Sequence, residues 1–570
     1  MKTRYLALAV AATSTLCCSG AALSQAPSGE TYERVLLLSI DGMHALDYYN
    51  CTHGISGVNG GQPFCPNLAT LGQTGIAYNA ASTTKPSDSF PGLMTLVTGA
   101  TPRTMGVYYD VAYDRSLDAP AATTGNGVAG GRCIPYGIPT GTTTEYEEGI
   151  DIDQSKLNGG APGAALTDGG IAAIDPARLP RDPAAGCAPV YPWNFVRTNT
   201  VYNVIHAAGG YTAWSDKHPA YSSIAGPGGA INDYYSPEIN SKVIPLPGVK
   251  LPSGASCSVV RDPGADLTAW TNSFQNIQCY DTLKVNAILN EIQGKTHNGA
   301  AAKVPTLFGM NFQSVSVGQK LIEANVASGG YQNAAGLPSR ELLREIEYVD
   351  ESIGQMVNQL RDTGNLQSTL IIVTAKHGQS PIDPHLYSAH PGKTGNGTTP
   401  ATLIADLLPL SESPTNPNGI GATEDDISLL WLKKGASVTK AVDMLEANGT
   451  AIGLGQIFYG PTVALNYNTP GLGPNEDPRT PDIIVTPNIG VTYTGSAKKL
   501  EEHGGFSHDD TNVMLLLSNP SIAPATLTIP TTTAQVAPTI LRALGLDPSA
   551  LDAVKAEGTA VLPGLSGVLK

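Results

Sequence analysis

The sequence is poor in basic residues: 33 lysines and arginines stand against 48 aspartates and glutamates, which gives a net charge of −15. It also contains no run of basic residues. A nucleic-acid polymer is therefore not an expected partner, because such partners are bound by basic patches. Charged residues make up only 14% of the chain, but the 41% that are hydrophobic are enough for a large folded core.

Long apolar runs are lacking as well. The apolar run near the start, residues 6–12, is short and is followed by Thr, Ser and Gly, so it does not predict a membrane span. The charged residues before it and the small residues up to Ala26 are typical of a secretory signal. We therefore expect a secreted or periplasmic protein whose mature chain has no transmembrane segment. Lipidation at Cys17 or Cys18 is the alternative, although the residues around them fit a lipobox poorly.

Cysteine is scarce and never forms a Cys-x-x-Cys pair, which argues against a cysteine metal site. Six cysteines remain after the signal segment, and export permits disulfides. The simplest connectivity pairs neighbours along the chain, Cys51 with Cys65, Cys133 with Cys187, and Cys257 with Cys279.

Apolar segments with the lengths of strands alternate with segments that have the 3.6-residue period of helices. Strands are predicted at 34–40, 210–214, 305–310, 369–374, 480–485 and 512–517. Helices are predicted at 91–98, 200–208, 279–293, 338–362, 436–447 and 533–544. This alternation favours an α/β fold whose mostly parallel sheet is covered by helices on both faces.

Long tracts rich in Gly, Pro and Thr interrupt the predicted elements. We interpret residues 1–26 as a signal peptide and 27–570 as one catalytic domain with insertions at about 110–195, 222–277 and 384–475. Loops of that length usually form lids or substrate walls. Within the last insertion, residues 426–475 have the strand and helix signals of a small αβ subdomain.

Two segments place reactive side chains at the ends of predicted elements. Strand 34–40 ends in Asp41, at the sheet edge where open α/β folds place their chemistry. Ser89 opens the next predicted helix, where the backbone dipole favours an anion. Together they predict a phosphoryl- or sulfuryl-transfer site. The neighbouring hydroxyls that could take the place of Ser89 are Thr83, Thr84 and Ser87.

Five motifs, in order, resemble the type I phosphodiesterase/nucleotide pyrophosphatase branch of the alkaline phosphatase superfamily. They are Ser-Ile-Asp-Gly at 39–42, Ser-Phe-Pro-Gly at 89–92, Thr-Ala-Lys-His-Gly at 374–378, Pro-Asp-Ile-Ile-Val at 481–485 and Glu-His-Gly-Gly at 502–505. The predicted helix at 534–545 resembles the closing helix of that group.

The resemblance implies an alkaline phosphatase-like fold and hydrolysis through a covalent phospho-enzyme at a two-zinc site. By position, Ser89 corresponds to the nucleophile, where the family usually has threonine. Asp41, His377 and His503 correspond to metal ligands. A metal ion in such a site lowers the pKa of the nucleophile and neutralises charge on the phosphoryl oxygens.

Three segments depart from the family pattern. Lys376 stands where the family has a metal-binding aspartate, and Asn311 and Gln313 lie where it has an Asp-x-x-x-His pair. Asp110 replaces an asparagine that donates to a phosphoryl oxygen. Because zinc needs several Asp, His or Cys ligands, the matching positions do not assemble two complete sites. We expect a reduced site with one divalent cation, preferably zinc, beside a catalytic Lys376; two ions, or none, are the alternatives.

Two polar clusters add candidates for substrate binding. Asp216, Lys217 and His218 follow a predicted strand and are expected at the same sheet edge as Asp41, where they offer a ligand, a cation and a proton-transfer group. The second cluster, residues 501–510, contains His508 as well as the family-matched histidine. The predicted substrate contacts are Asp110, Asp216, Lys217, His218, Asn311 and His508.

The combined prediction is a secreted or periplasmic phosphodiesterase or pyrophosphatase that acts on a small phosphoester or a related anionic substrate. A sulfatase is disfavoured because the segment after Ser89 lacks the arginine of the sulfatase motif. The alternatives are a phosphonate hydrolase and a non-catalytic protein that binds an anionic ligand on the same scaffold.

Overall fold

The structure is a computed structural model that describes residues 31–125, 127–146, 174–240, 246, 248–257, 271–323, 326–390, 398–409, 422–473, 476–494 and 499–565. The predicted signal peptide and parts of all three predicted insertions lie outside the described residues.

Two sheets organise the chain. Their strands, numbered in chain order, are β1 (Arg34–Ile40), β2 (Gly75–Tyr78), β3 (Ala213–Ser215), β4 (Asp233–Tyr235), β5 (Leu307–Phe312), β6 (Thr369–Thr374), β7 (Ala422–Glu424), β8 (Ser428–Leu430), β9 (Leu454–Tyr459), β10 (Ile483–Pro487), β11 (Leu515–Ser518) and β12 (Ala525–Leu527). The larger sheet has the order β12-β2-β11-β6-β1-β5-β3-β4, and the smaller has the order β7-β8-β10-β9. In the larger sheet β11 runs antiparallel to both of its neighbours, and the other pairs are parallel.

The α-helices of the described residues are α1 (Ala45–His53), α2 (Pro66–Gly72), α3 (Ser89–Thr98), α4 (Pro102–Met105), α5 (Pro192–Phe195), α6 (Val201–Ala207), α7 (Phe274–Ile292), α8 (Ser314–Lys320), α9 (Arg340–Asp362), α10 (Pro400–Leu403), α11 (Val438–Ala447), α12 (Pro461–Tyr467), α13 (His508–Thr511), α14 (Val536–Ala543) and α15 (Asp552–Glu557). Each predicted helix has a counterpart here. The predicted last helix begins as a 3-10 turn, Thr533–Gln535, before α14.

The central strand β1 explains why helices cover both faces of the larger sheet. Its side chains alternate between two hydrophobic cores, with Val35 and Leu37 on the side of α3 and Leu36 and Leu38 on the side of α9. Successive residues of a strand point to opposite faces, so a continuously apolar strand must be buried on both. The predicted α/β fold is therefore confirmed.

The parallel strands end together and bring the predicted polar residues to one edge. Ser39 of β1 pairs with Asn311 of β5 on one side and with Thr374 of β6 on the other, and Met310 pairs with Ser215 of β3. The residues that follow these strands, among them Asp41, Lys376 and Asp216, therefore meet at one edge, as the sequence predicted.

The strand predicted at 305–310 begins at Leu307, and the one predicted at 512–517 begins at Leu515. Two further strand predictions need correction. The segment predicted at 210–214 forms its strand later, at Ala213–Ser215, after a single bridge at Thr212. The apolar run predicted at 480–485 forms β10, which belongs to the smaller sheet and not to the larger one. Strands β2 and β12, at the far end of the larger sheet, were not predicted because they are short.

The three predicted disulfides are present, with Cα–Cα distances of 5.1 Å for Cys51–Cys65, 6.0 Å for Cys133–Cys187 and 5.7 Å for Cys257–Cys279. The last one ties the second predicted insertion to α7, which carries Cys279. Among the described residues, no helix is both long and apolar enough to cross a bilayer. The predicted domain boundaries stay a prediction.

Candidate active site

The side chain of Ser89 lies fully buried at the start of α3. Asp88 caps this helix by accepting a hydrogen bond from the amide of Phe90 at 3.2 Å, which satisfies one of the free amides of the first turn. The helix ends at Gly99, which adopts the left-handed conformation that glycine tolerates best. The nucleophile predicted from the sequence is thus held by a capped helix.

Three polar groups surround the Ser89 hydroxyl. Its Oγ lies 2.9 Å from Nε2 of His377, 3.1 Å from Nζ of Lys217 and 3.4 Å from Oδ2 of Asp41. Lys217 can only donate, so it donates to Oγ, and the single hydroxyl proton is left for one of the other two groups. The shorter contact is the one to His377.

The second nitrogen of His377 fixes which tautomer suits this contact. Nδ1 lies 2.8 Å from the main-chain oxygen of Gly378, and a carbonyl oxygen can only accept. We therefore assign the proton to Nδ1, which leaves Nε2 as the acceptor that faces Ser89. This arrangement suits a general base for the hydroxyl.

Asp41 is held as a carboxylate by the groups around it. Its Oδ2 accepts hydrogen bonds from Gln313 at 2.6 Å and Asn311 at 3.2 Å. Burial alone would raise the pKa of Asp41, but the charge of Lys376, the contact with His377 and the charge of Lys217 hold that pKa well below its usual range. The negative charge is therefore stable, and it lies 3.7 Å from the ammonium of Lys217.

Lys376 forms a buried ion pair with Asp216. Its Nζ lies 3.0 Å and 3.1 Å from the two carboxylate oxygens and 4.0 Å from the centre of the Tyr221 ring. Asp216 also accepts from the indole of Trp214 at 2.9 Å and from the backbone amide of Lys217 at 2.8 Å. The pair therefore anchors the start of the loop that carries Lys217.

His503 lies on the other side of His377, and the two rings are 4.1 Å apart. Its Nδ1 is 3.5 Å from Oδ1 of Asp88. Burial, the contact with His377 and the positive charges of several nearby lysines hold the pKa of His503 well below its ordinary value. His503 is therefore neutral at physiological pH.

Two of the predicted substrate contacts lie away from the Ser89 hydroxyl. His218 pairs with Oε1 of Glu238 at 2.8 Å and stacks on Tyr221. His508 is exposed at the start of α13 and lines a cavity of about 560 Å³ whose lining includes neither Ser89 nor Asp41. The prediction that these two residues contact the substrate at the Ser89 site gains no support from this placement.

Asp110 reaches the site through its main chain. Its amide donates to Oδ2 of Asp88 at 3.0 Å, and its own Oδ1 accepts from the amide of Val111 at 2.7 Å. Sequence reasoning did not single out Asp88 as a residue of the site. The available signal was its position directly before Ser89, which is typical of a helix cap.

The hydroxyls named as alternatives to Ser89 have other partners or surroundings. Thr83 donates to the main-chain oxygen of Lys376, and Ser87 donates to that of Asp510. Thr84 has a buried Oγ1 without a hydrogen-bond partner among the described residues. None of these three hydroxyls has a contact with His377 or Lys217 in the described structure, so the geometry favours Ser89.

The donor groups of the site do not fit the two zinc ions that the family resemblance implies. Within the described ranges, no group of three or more His, Cys, Asp and Glu side chains is arranged to hold a metal ion. Asp41 and His377 supply two donors, whereas a catalytic zinc site has about three protein ligands. The unpartnered Oδ1 of Asp41 would suit a cation, but it is a single atom.

The charges of the site also oppose a bound dication. Lys217 lies 3.7 Å from Asp41 and 3.1 Å from Ser89, beside the position that a metal bridging those two residues would need. Two unit charges at about 4 Å repel by roughly 4 kcal/mol at an effective dielectric constant of about 20, and a divalent ion doubles that repulsion.

Comparisons with known proteins agree with the fold. The family model for type I phosphodiesterase/nucleotide pyrophosphatase matches residues 35–134 and 327–509. These segments contain Asp41, Ser89, His377 and His503, whereas Lys217 and Asn311 lie in the segment between them. No curated protein matches the sequence at a significant level.

Similar solved structures include murine ectonucleotide pyrophosphatase/phosphodiesterase 5, at 13% identity and a TM-score of 0.50, with 90% of this chain and 96% of the other covered. An inactive form of the same murine protein in complex with AMP is 12% identical, covers 91% and 96%, and has a TM-score of 0.50. A mutant of alkaline phosphatase PafA is also 12% identical, covers 91% and 96%, and has a TM-score of 0.53.

At these identities the structural likeness establishes the fold, and the family model identifies the branch. The matched segments carry the strand that ends in Asp41, the helix that begins at Ser89 and the turn that holds His377. The chain belongs to the type I phosphodiesterase/nucleotide pyrophosphatase family.

Proposed function

We propose that this protein is a secreted or periplasmic phosphodiesterase or pyrophosphatase that uses Ser89 as its nucleophile. Its family makes it a hydrolase of phosphoester bonds. The choice of Ser89 rests on one observation, the 2.9 Å contact of its buried Oγ with the acceptor nitrogen of His377. In this mechanism Oγ attacks phosphorus, the leaving alcohol departs, and water hydrolyses the phosphoseryl intermediate.

The charges around Ser89 support a small substrate of low charge. Lys217 and Lys376 are accompanied by Asp41 and Asp216, and Asp88 lies within the same helix start. A polyanion would meet these carboxylates, whereas a singly charged diester would need only one cation at its phosphoryl group. We therefore favour diesters and mononucleotide-sized anhydrides over polyphosphates.

Export stays part of the proposal, and the metal ion that the sequence predicted stays a prediction. Three disulfides support an oxidising compartment. The family generally uses divalent metal ions, and the sequence predicted one such ion, preferably zinc. Because the donors of the site do not fit two zinc ions, the proposed mechanism uses only side chains of the protein.

Hydrolysis of bis-(p-nitrophenyl) phosphate by the wild type, Ser89→Ala and Ser87→Ala tests this function. Ser87, two residues before Ser89 in sequence, is the matched control, since its hydroxyl donates to the main-chain oxygen of Asp510. We expect Ser89→Ala to lose at least about a thousandfold in kcat, and Ser87→Ala to stay within about tenfold of wild type. Equal rates in wild type and Ser89→Ala would contradict the proposal.

Two further measurements distinguish the alternatives. A p-nitrophenyl phosphonate monoester that is cleaved faster than the diester would favour the phosphonate hydrolase. No turnover of any ester, combined with binding of inorganic phosphate in calorimetry, would favour the non-catalytic binding protein.

A further inference from the structure

We propose that Ser89 is activated by His377 and Lys217 without a metal ion, an inference that rests on the function proposed above. In this arrangement His377 is the base that removes the hydroxyl proton. Lys217 is the cation that stabilises the oxygen as it attacks and leaves.

The position of Lys217 is the first argument. Its ammonium donates to Ser89 Oγ at 3.1 Å and lies 3.7 Å from Asp41 Oδ2. It thus contacts both groups that the family's metal would join, the nucleophile and the carboxylate after the first strand. A cation in that place lowers the pKa of the hydroxyl and neutralises the developing oxyanion, which are the tasks of the metal.

The second argument is that the ligands of both metals have changed in a consistent way. Lys376 puts a fixed positive charge where the family has an aspartate, and it is compensated by Asp216 at 3.0 Å. Gln313 and Asn311 direct N–H groups at Asp41 Oδ2, at 2.6 Å and 3.2 Å. In each case a side chain that would bind a metal ion is replaced by a side chain that donates N–H groups to a carboxylate.

The third argument is the orientation of His377. Either ring nitrogen of a histidine can bind a metal; in His377, Nε2 faces the Ser89 hydroxyl, and Nδ1 is satisfied by the main-chain oxygen of Gly378. The same nitrogen can therefore accept a proton directly. Lys217, Asn311 and Gln313 all lie between the two segments that the family model matches, where this chain diverges from the family pattern.

The reaction balances without a metal. The Ser89 proton moves to His377 Nε2 as the Oγ–P bond forms, and the bond from phosphorus to the leaving oxygen breaks, with its electron pair on that oxygen. Water then adds to phosphorus, the Oγ–P bond breaks, and His377 returns the proton to Oγ. The proton that water loses reaches the departed oxygen through solvent, so that one ester bond is hydrolysed.

Chelation is the first test. The purified protein is dialysed against EDTA, its metal content is measured by mass spectrometry, and diester hydrolysis is compared before and after. We expect metal-free protein to retain kcat/KM within about twofold. A loss of Ser89-dependent activity that added Zn²⁺ restores would overturn the inference while leaving the proposed function intact.

Substitution of Lys217 is the second test. Lys217→Met is expected to lower kcat by about a hundredfold in EDTA, and Lys217→Arg is expected to recover part of that loss. Lys85→Met is the matched control, since Lys85 is an exposed lysine four residues before Ser89. A Lys217→Met protein with wild-type kcat and an unchanged melting temperature would overturn the role of Lys217.

Covalent trapping separates this inference from the substrate question. Diisopropyl fluorophosphate reacts with an activated serine by forming an Oγ–P bond and releasing fluoride, and intact mass reports the adduct. The inference is supported if Ser89 is labelled in the wild type in EDTA and this labelling is lost in Lys217→Met. This outcome does not depend on whether any diester is hydrolysed. Labelling only after Zn²⁺ is added, or no labelling in either condition, overturns it.

Discussion

The ammonium of Lys376 lies 3.0 Å from Oδ1 of Asp216, and both side chains are fully buried. The two residues follow strands β6 and β3, which are separated in the sheet by β1 and β5. Their contact therefore links the two sides of the site across the ends of the central strands. A buried charge that loses its partner is strongly destabilising, so each residue depends on the other.

Removal of the Lys376 side chain alone is expected to lower the stability of the folded protein. Lys376→Met leaves Asp216 buried without its cation, and we expect the free energy of unfolding to fall by roughly 3–5 kcal/mol. Adding Asp216→Asn to that variant is expected to restore more than half of the loss, as measured by urea unfolding of the single and double variants. Additive losses in the double variant would show that the pair is not coupled.

Gly92 permits the close approach of α3 to the loop that carries His377. A Cβ at this position would lie 2.3 Å from the main-chain oxygen of Lys376. Gly92→Ala is therefore expected to displace α3 and Ser89, with kcat reduced by about a hundredfold, because small misplacements of a nucleophile are costly. Gly473→Ala is the control, since the atoms nearest to its Cβ would be those of the flexible Glu476 side chain, at 3.3 Å. Wild-type kcat in Gly92→Ala would contradict the prediction.

Gln313→Glu tests whether the amide of Gln313 takes the place of a metal ion beside Asp41. The amide of Gln313 lies 2.6 Å from Asp41, so a glutamate there sets two carboxylates against each other. We expect at least about a tenfold loss of kcat together with a gain in Zn²⁺ affinity in calorimetry, since carboxylates are metal donors. Gln293→Glu, at an exposed position, is the control. A variant that keeps both full activity and the wild-type Zn²⁺ affinity would count against this interpretation of the carboxamides.

The ion pair between Arg197 and Asp477 predicts a loss of stability in acid. The guanidinium donates to both carboxylate oxygens at 2.7 Å, and although burial opposes it, Arg197 holds the pKa of Asp477 below its usual value. A lowered folded-state pKa gives stability that is fully present above the ordinary value of about 4 and is lost progressively as pH falls from there toward the lowered value.

Thermal unfolding between neutral pH and pH about 3 checks this expectation. Asp477→Asn should be less stable than wild type at neutral pH, and the difference should shrink in acid because the wild type loses its contribution there. Asp443→Asn removes an exposed carboxylate on α11 and should leave the profile nearly unchanged. A constant difference between Asp477→Asn and wild type at all pH values would contradict the assignment.

Much of the sheet could be predicted from the sequence because its central strands are continuous apolar runs. The strands at 34–40 and 369–374 were predicted with the bounds that the structure has. The run at 480–485 gave the same signal, but a local pattern does not report which sheet a strand joins. Its assignment to the smaller sheet depends on pairing with Ser428–Leu430, which is a tertiary contact.

The site was predictable where it follows strand ends and helix starts, and not where it depends on side-chain direction. Asp41, Lys217 and Lys376 meet because parallel strands end at one edge. His508 belongs to the same polar segment as His503, but α13 leaves it exposed on another cavity. The contact of Gln313 with Asp41 has no local signal, because a carboxamide after a strand serves equally well as a turn residue.

The ion pair across the strand ends also bears on how such a site could arise. A lysine at position 376 in an ancestor without the carboxylate of Asp216 would have been a buried, unpaired ammonium, and protein carrying it would have folded poorly. The acid after β3 must therefore precede the lysine after β6, or arrive with it. The two substitutions at this edge of the sheet therefore have a fixed order. We expect a metal-dependent relative that receives the lysine of position 376 alone to be insoluble and not to gain a new activity.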